Sequence, residues 1–206
     1  MERKNRLLTW PPNLETEYIC MTFAWNFEGR RSIRIPDYDY SEPGYYFVTI
    51  CVKNRQCTFG YMEDGKMVLS RFGYIARREW RQTIKSRRYI SPDAFIVMPN
   101  HVHAIVHIKV GRGMARHAPT VNSSVVPGRK FAQPQGNTLS SIVGSFKSAV
   151  SKCINRLGDA SDESLWQRNF YERIVWTDEG LANTRDYIRL NTLRWHVDPE
   201  NPYHPE

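Results

Sequence analysis

The stretch Met98-Pro99-Asn100-His101-Val102-His103-Ala104-Ile105-Val106 constrains this chain more than any other. It is an apolar, β-favouring run that carries two imidazoles two residues apart. Side chains alternate between the faces of a strand, so His101 and His103 share one face while Val102, Ala104 and Val106 share the other. Two neighbouring imidazoles on a rigid face supply half of a divalent-metal site. A His-x-His pair standing alone is equally what a half-exposed polar strand face shows, so its meaning depends on the rest of the chain.

The chain has 206 residues, enough for one domain with a substantial core plus extensions, and 41% of them are hydrophobic. Lys and Arg number 29 against 21 Asp and Glu, a formal charge of +8, which favours a polyanionic partner, nucleic acid before membrane. There is no run of about 18 apolar residues and no charged-then-apolar leader, so a soluble cytoplasmic protein without a membrane partner is expected. Cys20, Cys51, Cys57 and Cys153 have no Cys-x-x-Cys spacing and read as reduced thiols.

Residues 1–29 mix charges, prolines and aromatics without a period and read as a poorly ordered N-terminal extension, with Met21 as an alternative start. After a basic lead-in at 30–36, Tyr45–Val52 is a strongly β-favouring run, expected as a central strand. Asp64-Gly65 is a hairpin turn between Phe59–Met62 and Met67–Leu69. Ser70 to Arg88 reads as a helix, with Ser70 as N-cap and Phe72, Ile75, Ala76, Trp80, Thr83 and Ile84 on its buried face. Its other faces carry Arg71, Arg77, Arg78, Arg81, Lys85, Arg87 and Arg88, either a solvated face or a phosphate-contacting one.

Asp93–Met98 and His101–Lys109 are two adjacent strands joined at Pro99-Asn100. His107 falls on the face of His101 and His103, with Ile105 intervening, and an edge or surface role is expected for it. Residues 111–137 contain four glycines, three prolines, no acidic residue and four basic ones, Arg112, Arg116, Arg129 and Lys130. They read as a flexible basic linker that orders on nucleic acid. Thr138–Leu157 is the cleanest amphipathic helix, with Leu139, Ile142, Val143, Phe146, Ala149, Val150, Cys153, Ile154 and Leu157 on one broad face. Trp166–Trp176 is expected as a last strand, and Thr177 as the N-cap of a helix through Tyr187 to at least Asn191. Residues 199–206 read as a tail. On that last helix Leu181, Thr184 and Ile188, with Trp195 as a further candidate, form the core stripe, and Tyr187 and Asn191 stack one turn apart at its edge. Spacing leaves two readings open: a half-buried tyrosine with an exposed asparagine, or groups held firmly enough to meet a ligand.

Three segments occur in order: Met98-Pro99-Asn100-His101-Val102-His103, Trp166-Gln167-Arg168-Asn169-Phe170-Tyr171-Glu172 and Asp186-Tyr187-Ile188-Arg189-Leu190-Asn191. Together with Ser145-Phe146-Lys147-Ser148-Ala149-Val150, this ordered set resembles the REP-associated tyrosine transposases, single-tyrosine members of the HUH endonuclease superfamily. The resemblance runs from about Arg30 to Asn201 and is weakest in the linker. It implies an α+β, ferredoxin-like antiparallel sheet with helices packed on it, forming a catalytic domain over 30–198.

It further implies that His101 and His103 ligate a divalent ion, that Asn191 completes the metal site and that Tyr187 is the nucleophile. Two departures stand out. Thr192 occupies a position where the family commonly has proline, so the helix is expected to run on, and Arg173 replaces a common histidine. The implied activity is metal-dependent cleavage and transfer of single-stranded or hairpin repeat DNA through a 5′-phosphotyrosine, with Mg²⁺ or Mn²⁺ as cofactor, in a monomer or homodimer. The alternatives are a catalytically idle DNA-binding protein of the same fold and a zinc protein using His101, His103 and His107. Arg77, Arg78, Arg81, Arg129, Lys130, Arg168 and Arg185 are candidate phosphate contacts, and Trp166, Phe170 and Tyr171 are either base-stacking groups or core residues. Arg185 is also a candidate for the charge that activates the phenol. Tyr171 is the rival nucleophile, ranked below Tyr187 because no Asn or Gln follows it by four residues.

Overall fold

The structure, a computed structural model, describes Ile35 and residues 38–110, 138–158 and 164–203. The N-terminal extension at 1–29 and the basic linker at 111–137, with Arg129 and Lys130, lie outside the described residues.

The main sheet is built on β1 (Gly44–Cys51) and β6 (His101–Ile108), two long runs of β-branched and aromatic residues. They pair antiparallel in full register, Gly44 opposite Ile108 and Cys51 opposite His101. β7 (Tyr171–Val175) pairs with the other side of β1. The short strands β4 (Ile90–Ser91) and β5 (Phe95–Val97) both pair with β6. With β4 and β5 taken as one broken edge element, the order is β4/β5-β6-β1-β7, the arrangement of a ferredoxin-like antiparallel sheet. β2 (Gly60–Glu63) and β3 (Lys66–Leu69) form a separate hairpin. Asp64 (φ 49°) and Gly65 (φ 71°) make its two-residue turn, both left-handed as such a turn requires.

Three α-helices cover the sheet. α1 (Arg71–Lys85) and α2 (Leu139–Asn155) lie on the face formed by Tyr46, Val48, Ile50, Val102, Ala104, Val106 and Ile108. Trp80 of α1 stacks on Phe95 at 5.1 Å and meets Phe146 of α2 edge-on at 5.3 Å, so one indole ties both helices to the sheet. At Gly73 an added Cβ would stand 2.2 Å from the Phe59 carbonyl oxygen, so α1 begins hard against the chain that enters the hairpin. α3 (Asp178–Leu190) covers the opposite face, packing Leu181 and Ile188 on Phe47 and Ile105. Each helix opens on a side-chain cap: Ser70 accepts from the amides of Phe72 and Gly73, Thr138 from Ser141 and Thr177 from Gly180.

Three differences from the sequence expectations have physical causes. The last strand is shorter than Trp166–Trp176, because Trp166 makes only an isolated bridge to Val52 and buries its indole against Phe59 and Phe146. After α3 the chain does continue past Thr192, but as a tighter 3₁₀ segment (Asn191–Val197). The segment expected as a tail is not a surface feature at its start: Glu200 and Asn201 are buried, as is Asp198 before them.

Candidate metal and nucleophile site

The site lies on the α3 face of the sheet. The β5–β6 turn at Pro99-Asn100 starts β6 so that His101 and His103 both point to that face, and both are buried, at 0% and 2% exposure. The half-exposed reading of the pair therefore does not hold. Their Nε2 atoms converge to 3.0 Å. Each ring is held from behind: His101 Nδ1 is 2.9 Å from Asn100 Oδ1, and His103 Nδ1 is 2.9 Å from Thr49 Oγ1 on the paired position of β1. Burial pushes the pKa of His101 down to about 3 and that of His103 well below its usual value, helped there by the neighbouring His101. Both rings are therefore neutral near pH 7, the state in which an imidazole nitrogen offers a lone pair.

α3 supplies the next group. The Tyr187 hydroxyl stands 3.4 Å from His103 Nε2, and its ring lies edge-on to Phe47 at 5.9 Å and to His103 at 5.2 Å. Asn191 follows one turn later as the C-cap of α3 and is 2% exposed rather than on the surface. Its Oδ1 is buried and has no hydrogen-bond partner among the described residues.

A carboxylate not singled out from the sequence completes the cluster. Asp198, just beyond the 3₁₀ segment, places Oδ2 3.9 Å from His101 Nε2, and the ligand atoms of His101, His103 and Asp198 all lie within 4.8 Å of one another. Asp198 Oδ1 accepts from the Glu200 amide at 2.8 Å, which fixes the carboxylate. Behind it, burial pushes the Glu200 carboxyl up to about 7, and Glu200 Oε2 sits 3.6 Å from Arg55 Nε. Two neutral imidazoles and a buried carboxylate form a mixed nitrogen–oxygen donor set. This set fits a divalent cation, since buried polar atoms are otherwise matched by hydrogen bonds.

The other residues singled out from the sequence fall elsewhere. His107 is half-buried on the interior strand β6, between Tyr45 of β1 and Ser91 of β4, and stacks on Tyr45 at 4.0 Å, so it is outside the His101–His103–Asp198 group but not at a sheet edge as expected. Arg77, Arg78 and Arg81 are on α1, across the sheet from the histidines; Arg77 lies over Tyr74 and Arg78 pairs with Glu79 at 2.7 Å. Trp166 is core and its indole N–H donates to the Lys147 carbonyl at 3.0 Å, so it is no stacking platform for a base. Arg168 is exposed beside it. Tyr171 is half-buried against Phe47 at 6.3 Å. Arg185 grips Asp93 with two hydrogen bonds, 2.9 and 2.6 Å, so its charge is balanced by that carboxylate and is not directed at the phenol.

No family model matches the chain. Among solved structures, that of a REP-associated tyrosine transposase bound to a REP hairpin superposes with a TM-score of 0.52 at 17% identity, covering 80% of this chain and 74% of that one. The chain shares the fold of that transposase, the fold that the ordered sequence segments imply. An uncharacterized protein of Haemophilus influenzae (strain ATCC 51907 / DSM 11121 / KW20 / Rd) is 32% identical over 181 residues, 86% of this chain and 97% of that protein. The chain belongs to the same family as that protein.

Proposed function

We propose that this chain is a metal-dependent single-stranded DNA endonuclease and strand transferase that acts on hairpin repeat DNA through Tyr187. The observation that carries the reading is the Tyr187 hydroxyl 3.4 Å from Nε2 of one member of a buried histidine pair. The hairpin in the solved transposase of the same fold supports a hairpin DNA as partner.

In this reading His101 and His103, with oxygens of Asn191 and Asp198, hold the divalent ion, Mg²⁺ or Mn²⁺. When bound, the ion supplies Lewis acidity to a phosphoryl oxygen. Phe47 and the His103 ring restrict the Tyr187 side chain from two sides, so the phenol is oriented before DNA arrives. Tyr187 Oη loses its proton and forms a bond to phosphorus, and the bond from phosphorus to the 3′ oxygen breaks. The leaving oxygen takes up a proton, giving a 5′-phosphotyrosine and a free 3′-hydroxyl. One phosphoester replaces another, so the linkage energy is kept for the rejoining step.

The test is a denaturing gel of protein mixed with a labelled single-stranded hairpin oligonucleotide and Mg²⁺ or Mn²⁺. A covalent band is expected with the wild type and is absent in Tyr187→Phe, which still retards the DNA on a native gel. A band kept by Tyr187→Phe but lost in Tyr171→Phe overturns the nucleophile assignment. Retardation with no covalent band in any condition favours the idle DNA-binding protein.

A further inference from the structure

The Asn100 side chain reaches both the His101 ring and the segment that carries Asp198. It closes the turn into β6 and is 1% exposed. Its Nδ2 donates to two main-chain carbonyls from distant parts of the chain, Arg55 at 3.1 Å and Glu200 at 2.6 Å, separated from it by 45 and 100 residues. Two carbonyls are acceptors only, so they settle which end of the amide is nitrogen and turn Oδ1 toward His101 Nδ1, at 2.9 Å. An amide oxygen is likewise an acceptor only. The neutral His101 ring must therefore carry its proton on Nδ1, leaving Nε2 as a lone pair directed into the cluster.

The partners of Asn100 are themselves held in place. Asn54 (φ 56°) and Arg55 (φ 53°) are two consecutive non-glycine residues in the left-handed region, a conformation kept only where the surroundings enforce it. That turn brings the Arg55 carbonyl to Asn100 and the Arg55 guanidinium to Glu200. On the other side, the Glu200 amide holds Asp198 Oδ1, so the bond from Asn100 to the Glu200 carbonyl anchors the short segment that carries Asp198. Thr49 is a different kind of support. A hydroxyl can donate or accept, so it suits either tautomer of His103.

We propose that Asn100 is the positioning residue of the site: one amide selects the metal-binding tautomer of His101 and docks the 198–201 segment, so that nitrogen and oxygen donors are assembled together. The inference rests on the metal-site reading above, and it adds a role for a residue that touches neither the ion nor DNA.

Long-range ¹H–¹⁵N NMR of the metal-free protein reads the tautomers directly. The wild type is expected to show His101 protonated on Nδ1; His101 protonated on Nε2 overturns the proposal without any substitution. Mn²⁺ titration followed by electron paramagnetic resonance supplies the second readout. Asn100→Ala is expected to weaken Mn²⁺ binding about 10- to 100-fold, the usual effect of losing a group that orients a metal ligand, and to mix the His101 tautomers. Wild-type affinity with an unchanged tautomer overturns the proposal.

Asn100→Asp separates the two roles and covers the case in which the alanine variant fails to fold. It keeps an acceptor for His101 Nδ1 but loses both donors, so the tautomer is expected to persist while amide exchange at Asp198, Glu200 and Asn201 accelerates at least about tenfold. Unchanged exchange there overturns the docking role. If His101→Ala binds Mn²⁺ as tightly as the wild type, the metal-site reading itself falls, and the tautomer and exchange results still judge Asn100 separately.

Discussion

At the scale of single residues, the site works by burying polar groups whose partners are specified. His101 and His103 are neutral because they are dry, and each has one ring nitrogen engaged from behind. Lys147 shows the same physics away from the site. Its ammonium on α2 donates to the carbonyls of Gln167 and, at 3.2 Å, Asn169, holding the exposed Arg168 turn, and burial pushes its pKa down to about 8. Because the unfolded lysine titrates near 10.5, the unfolded chain binds more protons than the folded one between about pH 8 and 10.5, and folding stability at this residue rises with pH across that window. Below pH 8 both states are charged and the burial cost is fully present. Thermal melts of wild type and Lys147→Met at pH 7.5 and pH 10 check this. The wild type is expected to gain stability relative to the variant at the higher pH, and a constant or shrinking difference contradicts the account.

At the scale of elements, the sheet is a partition. The even face of β1 (Tyr46, Val48, Ile50) belongs to α1 and α2, while the odd face (Phe47, Thr49) belongs to α3 and the site. Stability and chemistry are thus separated by the two-residue period of one strand. Trp80 is the test of the stability side. It is 4% exposed and joins α1 to Phe95 and to Phe146. Trp80→Ala is expected to cost about 3–5 kcal/mol in urea unfolding, the range for deleting a large buried aromatic. Trp80→Phe should cost clearly less, and a loss under about 1 kcal/mol for the alanine variant would mean that the indole is not a structural bond between the helices. α3 is tethered differently, by its Thr177 cap at one end and by the Arg185–Asp93 pair along its length. Arg185 therefore belongs to how the helix that carries Tyr187 is seated.

At the scale of the whole molecule, the +8 charge is the property that bears on a nucleic-acid partner. Phosphate neutralisation releases counterions, so affinity should fall with salt in proportion to the number of contacts. Three phosphate contacts on a single strand correspond to about a 20-fold loss between 50 and 200 mM salt. Fluorescence anisotropy with a labelled hairpin oligonucleotide measures it. An affinity independent of salt would show that the basic surface takes no part in binding. No helix among the described residues is long and apolar enough to cross a membrane.

Period and punctuation in the sequence were sufficient for the elements: the strand of β1, the Asp64-Gly65 hairpin, the capped helices α1, α2 and α3, and the alternation that puts His101 and His103 on one face. These are local properties, carried by neighbours within a turn or two, and the chain alone determines them. The ordered motifs likewise implied the fold that the sheet order bears out. Only the tertiary structure decided what surrounds the His-x-His pair. Asp198 and Glu200 sit in a proline-rich stretch with no hydrophobic period, and they reach the site through hydrogen bonds and folding over about a hundred residues of sequence separation. Trp166 looked as available for stacking as any aromatic until packing buried it, and Asn100 looked like turn chemistry until its two ends met Arg55, Glu200 and His101. Spacing reveals which face a side chain takes, whereas the desolvation and pairing that make it a ligand arise when distant segments close on it.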